Sequence, residues 1–350
     1  MNPSIEHPVP PPPAPPEDYE APVAAMHFRA IREDQPGERL AALYARSKPG
    51  YERWFLREGD AARPSWLACE RALRHWLPEL WPTFERVLAA VGDGDRTARF
   101  LSLYQPTPFL AGCSQAAWAR ESVALVRNYD YSPRLADGVL LYTHWNSTPV
   151  IAMSDCLWGV LDGMNGHGLA VSMAFGGRRA VGDGFGITLI LRYVLEFCRD
   201  VPDALAMLTR VPVHMAYNVA LVDRGGQHAT VYLGPDRPPL VSQERVSTNH
   251  QGSIEMPDHA RTWETVRRDE YLRFCVDAPY QNADALTGHF LVPPLYRNGH
   301  VRGWGTLYTA AYHPHAGTMA LHWPQAGSWW QGFGAFVEGE REVAFGGRVS

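Results

Sequence analysis

No stretch of the 350-residue chain is apolar for long enough to cross a membrane as a helix. Its start, MNPSIEHPVPPPPAPPEDYEAP, lacks the basic residues and apolar run of a secretory signal. The five cysteines (Cys69, Cys113, Cys156, Cys198, Cys275) are odd in number, widely spread and never in a C-x-x-C pair. That excludes a zinc ribbon or a thioredoxin-like motif and suits free thiols in a reducing cytoplasm. The fourteen histidines show no metal-ligand spacing on a convincing helix, so neither metal nor cofactor is expected. A net charge of −5 gives no electrostatic reason to expect nucleic acid or an anionic membrane as partner. No internal repeat is apparent. The glycine-rich FGGRRAVGDGFG, Phe175–Gly186, fits neither a P-loop nor a dinucleotide fingerprint. It reads either as a loop at a pocket mouth or as a phosphate cradle in which Arg178 and Arg179 meet an acyl-coenzyme A donor.

What is present is the composition of a soluble globular enzyme: 46% apolar residues, 20% charged residues and twelve tryptophans. Residues 1–22 are proline-rich and are expected to be an extended or disordered lead-in. Between about Gly37 and Tyr104, GERLAALYAR, SWLACERALRHWL and TFERVLAAVG space apolar residues three and four apart, which predicts three or four helices. Beyond Cys113 the period changes. SVALVRNYDY, GVLLYTHW, PVIAMSDCLWGVLD and GLAVSMAF read as strands. ITLILRYVLEFCRDV and PDALAMLTRV then read as helices, AYNVALVD and HATVYLG as strands, HARTWETVRRDEYLRFC and NADALTGHF as helices, and GTLYTAAYH and TMALHW as strands. This order predicts an α+β sandwich with helices outside two sheets.

The chemistry concentrates at Gly112–Cys113. A lone cysteine is ordinarily a small core residue. The other reading is a chain cut at this bond. The Cys113 thiol attacks the Gly112 carbonyl, a thioester forms, and hydrolysis frees Cys113 as a new N-terminus. Its α-amine, with an ordinary pKa near ~8, is then a general base for its own thiol. A glycine before the cysteine leaves the attack unobstructed. Downstream, Arg127 and Asp130 lie in RNYD. They are either a strand-end ion pair or groups that orient a nucleophile and its amine.

These segments resemble the N-terminal-nucleophile (Ntn) hydrolases, and within them the branch of acyl-coenzyme A:6-aminopenicillanic-acid acyltransferase. Choloylglycine hydrolases, penicillin V acylases and acid ceramidase-like amidases are more distant. GCSQ (Gly112–Gln115) resembles the processing site and RNYD (Arg127–Asp130) the Arg-Asn-x-Asp strand. GMNGHGLAVSMAF (Gly163–Phe175) resembles the Asn-x-x-Gly-Leu hairpin. YNVALVDRGG (Tyr217–Gly226) with STNH (Ser247–His250) resembles the later sheet and its Thr-Asn-His segment. TLYTAAYHPHAGTMALHWP (Thr306–Pro324) falls where the family has a late hairpin. The likeness spans about Leu77 to Pro324.

The resemblance implies a four-layer αββα sandwich of two antiparallel sheets flanked by helices. It implies a propeptide over residues 23–112, held to a catalytic segment over residues 113–350 as a heterodimer after cleavage. Cys113 would be the nucleophile, Asp130 would hold its amine or thiol, Arg127 would buttress the site, and Asn249 would be the side-chain donor of the oxyanion hole. Read locally, Asn249 is equally a turn residue bonding its own backbone. Asn218 either braces the site or is satisfied within its sheet. The family's late arginine falls on Arg297 or Arg302. The expected substrate is a small-molecule amide or an acyl-coenzyme A thioester. His167 and His250 receive no role from the resemblance. Two other readings stand beside it: an uncut cysteine hydrolase with a histidine base such as His250, and a non-catalytic protein that keeps the fold as a binding module.

Overall fold

A computed structural model describes residues 24–92, 94–279 and 282–345. The proline-rich lead-in, apart from its boundary, lies outside the described residues.

Two sheets face each other. The larger has nine strands among the described residues, and their ranges follow the apolar alternation of the sequence. In spatial order they are β10 (Leu240–Ser242), β9 (His228–Leu233), β8 (Tyr217–Asp223), β7 (Leu169–Phe175), β6 (Gly159–Asn165), β5 (Val150–Asp155), β4 (Val139–Thr143), β1 (Ala24–Glu33) and β15 (Gly339–Phe345). The smaller has six: β11 (Val246–Ser247), β2 (Gly112–Ala119), β3 (Val123–Tyr131), β12 (Gly305–His313), β13 (Thr318–Trp323) and β14 (Gly327–Gly332).

Helices α5 (Ile187–Phe197) and α6 (Val201–Leu208) pack on the larger sheet. Helices α8 (Thr265–Asp277) and α9 (Ala283–Phe290) pack on the smaller one. The expected αββα layering is therefore what the chain forms. Its sheets are not wholly antiparallel, because β1 runs parallel to β4.

The region expected to be helical holds α1 (Glu38–Phe55), α2 (Trp66–Trp76), α3 (Trp81–Val91) and α4 (Asp95–Leu101). Ser65 caps α2 by accepting from the Ala68 amide, which satisfies one of the donors a helix start leaves open. These helices pack against the strands that follow. Phe84 lies against Trp158, and the Trp158 indole donates to the Leu101 carbonyl at 3.0 Å.

Strand β1 was not anticipated from the sequence, yet its pattern is plain. Met26, Phe28 and Ala30 are buried while Ala25 and His27 are exposed, the period of a half-buried strand. β15 was missed for a different reason: its GEREVAF is polar along most of its length. β1 joins both ends of the chain, paired to β15 on one side and β4 on the other.

Alternation along β2 makes two cores. Cys113 and Ala117 face the other sheet and join the main apolar cluster. Ala116 and Trp118 face α8 and α9, packing with Leu272, Cys275, Leu286 and Phe290. No described helix is long and apolar enough to cross a membrane.

Phe28 is 1% exposed and packs on Trp323 and Tyr308 at ring separations of 5.0 and 6.1 Å. Phe28→Ala should destabilise the protein by about 3–5 kcal/mol, read from urea unfolding. A loss below about 1 kcal/mol would mean that β1 is not part of the cooperative core.

Candidate functional site

The register of β2 on β3 builds the site. Cys113 lies opposite Tyr129 and Gly112 opposite Asp130. Directly opposed residues share a face, so the Cys113 thiol points between the sheets, together with Tyr129 and Arg127. Asp130 points to the other face, the side of Ser114 and Asn128. The carboxylate therefore stands on the opposite face of the sheet from the thiol.

Cys113 is fully buried. Arg127 Nη2 donates to its Sγ at 3.3 Å. The guanidinium is in turn fixed by an ion pair with Asp162 and by Tyr308, whose hydroxyl accepts from Nη1 at 3.1 Å. Asp162 also accepts from the Tyr308 and Tyr312 hydroxyls at 2.7 and 2.6 Å. The pair is held from both sides by these hydroxyls, although Arg127 Nε is buried without a partner among the described residues. Burial pushes the Cys113 thiol pKa up, and the nearby Arg127 only partly opposes this. The thiol is thus protonated in the intact chain at neutral pH.

Asn249 brackets Gly112. Its Oδ1 accepts from the Cys113 amide at 3.0 Å. Its Nδ2 donates to the Ala111 carbonyl at 3.3 Å and to the Phe175 carbonyl at 3.0 Å. The Asn249 amide donates to Thr265 Oγ1 at 2.7 Å, and Asn218 Nδ2 holds the Thr248 and His250 carbonyls at 2.8 and 2.9 Å. Asn218 therefore braces the segment that carries Asn249. Gln115 ties this segment to β2 through Ser247 Oγ at 2.7 Å. Gly177, at φ +69°, approaches the Asn249 backbone so closely that a Cβ would lie 2.2 Å from its carbonyl oxygen.

A second arginine meets Cys113, at its backbone carbonyl: Arg268, which sequence reasoning missed. It donates to the Cys113 carbonyl, to Ser114 Oγ at 2.7 Å and to Asn249 Oδ1 at 2.7 Å. Burial lowers its pKa to about 10, so it stays charged at neutral pH. Arg268 lies on the apolar stripe of α8 with Leu272, Cys275 and Val276. A charged residue on a helix's buried stripe was the available signal.

Of the two arginines expected here, Arg297 stands further out, paired with Glu264 at 2.7 Å, while its backbone amide donates to Thr306 Oγ1 at 2.9 Å. Arg302 is exposed, and no hydrogen bond among the described residues joins it to the cluster. Thr306 Oγ1 donates to Asp130 Oδ1 at 2.7 Å, while Asp130 Oδ2 is buried without a partner among the described residues. Burial raises the Asp130 carboxyl pKa, against the pull of Arg268.

Gly112 sits under the Trp263 indole, where a Cβ would come within 2.1 Å of the ring. The residue before the cysteine is glycine because nothing larger fits beneath Trp263. His250 lies on the far side of Asn249, its Nδ1 at 3.2 Å from both Thr248 and Thr265 hydroxyls, and among the described residues it does not bond Cys113. The Phe175–Gly186 loop is packed rather than open. Arg178 is clamped by Asp236 and Glu255, so its donors are committed within the fold, and only Arg179 remains exposed.

A buried thiol and a guanidinium on its sulfur between two facing sheets, with an amide side chain beside its nitrogen at the sheet edge, fit an enzyme of the Ntn amide hydrolase and acyltransferase class. The chain belongs to the acyl-coenzyme A:6-aminopenicillanic acid acyl-transferase family, which matches residues 118–328. That stretch begins downstream of Cys113.

Among solved structures it is similar to penicillin V acylase from Agrobacterium tumefaciens, with 15% identity over 66% of this chain and 91% of that one at a TM-score of 0.44. It is also similar to a variant of the conjugated bile acid hydrolase from Clostridium perfringens (12% identity, 67% and 97% covered, TM-score 0.43). A third is the Caenorhabditis elegans N-acylethanolamine-hydrolyzing acid amidase orthologue (14% identity, 62% and 98% covered, TM-score 0.42). No curated protein matches the chain.

Asp162→Asn should cost about 3–5 kcal/mol in urea unfolding, because it leaves Arg127 charged, buried and without its carboxylate. A neutral effect would mean that Arg127 finds another counter-charge or solvent.

Proposed function

We propose that the chain cuts itself between Gly112 and Cys113, and that the freed Cys113 is the nucleophile of an amide hydrolase or acyltransferase. The observation that carries this reading is the Asn249 amide bracketing Gly112, with one end on the Cys113 nitrogen, the atom that departs, and the other on the Ala111 carbonyl. Sγ attacks the Gly112 carbonyl carbon. The C–N bond breaks, the thiol proton passes to the departing nitrogen, and a thioester joins Gly112 to Sγ. Water then releases the Gly112 carboxylate and restores the thiol.

The new α-ammonium is accepted by Asp130, whose Oδ2 is open to it from across the strand pair. In its neutral form the amine takes the thiol proton as Sγ attacks a substrate carbonyl. Loss of the leader segment from the site frees Asn249 Nδ2 from Ala111 to donate to the developing oxyanion. The acyl group then passes from Cys113 to water or to an acceptor amine. The acyl donor is an amide or an acyl thioester such as an acyl-coenzyme A.

The two pieces stay together as a heterodimer. Strand β1 is inserted between β4 and β15, and Leu40, Leu73, Phe84 and Val87 of the leader lie in the main core. The five free cysteines suit a reducing cytoplasm. The histidine-base alternative finds no support, since His250 is turned toward Thr248 and Thr265.

Intact mass should show wild type as residues 1–112 and 113–350, co-migrating on gel filtration, with Cys113→Ala whole. A whole wild type would overturn the reading and favour the uncut binding protein. Gly112→Ala should slow cleavage at least about tenfold by displacing Trp263, and Trp263→Ala in the same chain should recover most of that rate. Asn249→Ala should lower kcat by roughly 10²–10³ if the side chain is the oxyanion donor. A change confined to KM would exclude that role.

A further inference from the structure

Beyond Arg127, on the same inter-sheet face as the thiol, lies a group that the mechanism above does not use. The β5–β6 turn carries Cys156 and Leu157, both at positive φ (53° and 74°), a conformation that non-glycine residues adopt only when neighbours enforce it. Two carboxylates flank this turn. Asp137 Oδ2 accepts from the Leu157 amide at 3.3 Å and from the Tyr51 hydroxyl at 2.5 Å. Asp155 Oδ2 lies 3.8 Å from Cys156 Sγ. Both carboxylates are half-buried, and neither makes an ion pair among the described residues.

Arg127, the cation nearest Asp155 in effect, is already committed to Asp162 and the thiol, and Arg46, which acts on Asp137, is exposed. Burial, with Asp137 beside it, pushes the Asp155 carboxyl pKa well up, and burial raises Asp137 as well, so the pair favours its ionised form only when a cation enters.

A second feature points into the same place. Tyr129 is fully buried, its hydroxyl has no partner among the described residues, and Asp155 is the charge that most opposes its ionisation. Tyr129 stacks on Tyr131 at 5.5 Å, and the Asp155 carboxylate likewise acts on Tyr131 and Tyr217. The walls are thus aromatic and the floor is acidic. Phe109 of the leader lies against both walls, 6.3 Å from the Tyr131 ring and 6.3 Å from the Tyr217 ring.

We propose that Asp137 and Asp155, with Tyr129, Tyr131 and Tyr217, form a recognition pocket for an ammonium group on the substrate, closed in the uncut chain by Phe109. Carboxylates supply the counter-charge, the faces of Tyr131 and Tyr217 supply cation–π attraction, and the unpartnered Tyr129 hydroxyl accepts from the ammonium, its ring being already covered by Arg127 at 4.6 Å. No third carboxylate or imidazole completes a metal site among the described residues, so an organic cation fits better than a metal ion. The proposal rests on Cys113 being the acylated residue: a substrate seated at Sγ sends one arm past Arg127 and Tyr129 to this pocket. Cleavage frees the segment ending at Gly112 and lets Phe109 leave.

The test uses binding, so that it does not depend on processing. Full-length Cys113→Ala,Phe109→Ala is melted with and without millimolar benzylammonium chloride, and with benzyl alcohol as the neutral match. Benzylammonium should raise Tm by at least ~2 °C where benzyl alcohol does not. Cys113→Ala with Phe109 intact should show no shift. Asp155→Asn in the double variant should abolish the shift, and Tyr129→Phe should reduce it by about half or more. The Tyr129→Phe result decides the matter if Asp155→Asn fails to fold. Equal shifts from amine and alcohol, no shift at all, or a full shift in either pocket variant would overturn the proposal. A chain that never cuts would sink the self-processing mechanism while leaving this result to stand by itself.

Discussion

Everything at the site depends on one antiparallel register, Cys113 opposite Tyr129. It fixes which side chains share the space between the sheets and which face the α8–α9 layer. A slip of one residue of β2 would turn the thiol to the outer face, away from Arg127. The register is held by apolar alternation on both faces of β2, with Ala117 packed inward and Trp118 outward, so neither face is free to move.

Around that register the polar groups form two separate systems. Asp162, Arg127 and the hydroxyls of Tyr308 and Tyr312 serve the sulfur. Arg268, Asn249, Thr265 and Asn218 serve the backbone around the cysteine. The first lies between the sheets, and the second lies at the sheet edge where β11 meets β2. Physically they do different work. The first adjusts the charge felt by a thiol that burial keeps protonated, and the second holds a peptide bond in a fixed pose under Trp263. Under the proposed mechanism the second system then serves the oxyanion and the amine, with no need to be rebuilt.

The leader is built into this arrangement rather than laid over it. β1 closes the larger sheet, α1 supplies Tyr51 to Asp137, and Phe109 lies between the tyrosines beside the thiol. The same segment therefore contributes to stability and covers the pocket, and only its last few residues need to move for the pocket to open.

How much of this was legible beforehand follows from the range of each signal. Local periodicity revealed α1–α3, α5, α6, α8 and α9 in outline and most of the strands, because burial on one face imposes a repeat of 2 or 3.6. It passed over β1, whose alternation was overlooked ahead of a strong helix, and β15, whose polar face gives little repeat. The motifs at Gly112–Cys113, Arg127–Asp130 and Asn249 could be read because the residue types are distinctive in order. Arg268, Asp162 and the Asp137–Asp155 pair could not, since each matters only through a partner far away in the chain. The sequence by itself determined the layered fold and singled out Cys113 as the candidate nucleophile, because these rest on pattern and residue type. Only the tertiary structure decided that Arg268 meets the Cys113 carbonyl, that Trp263 is what demands glycine at position 112, and that Asp130 stands on the opposite sheet face from the thiol. Those are matters of distance and facing, and strand register sets them only once both sheets are packed.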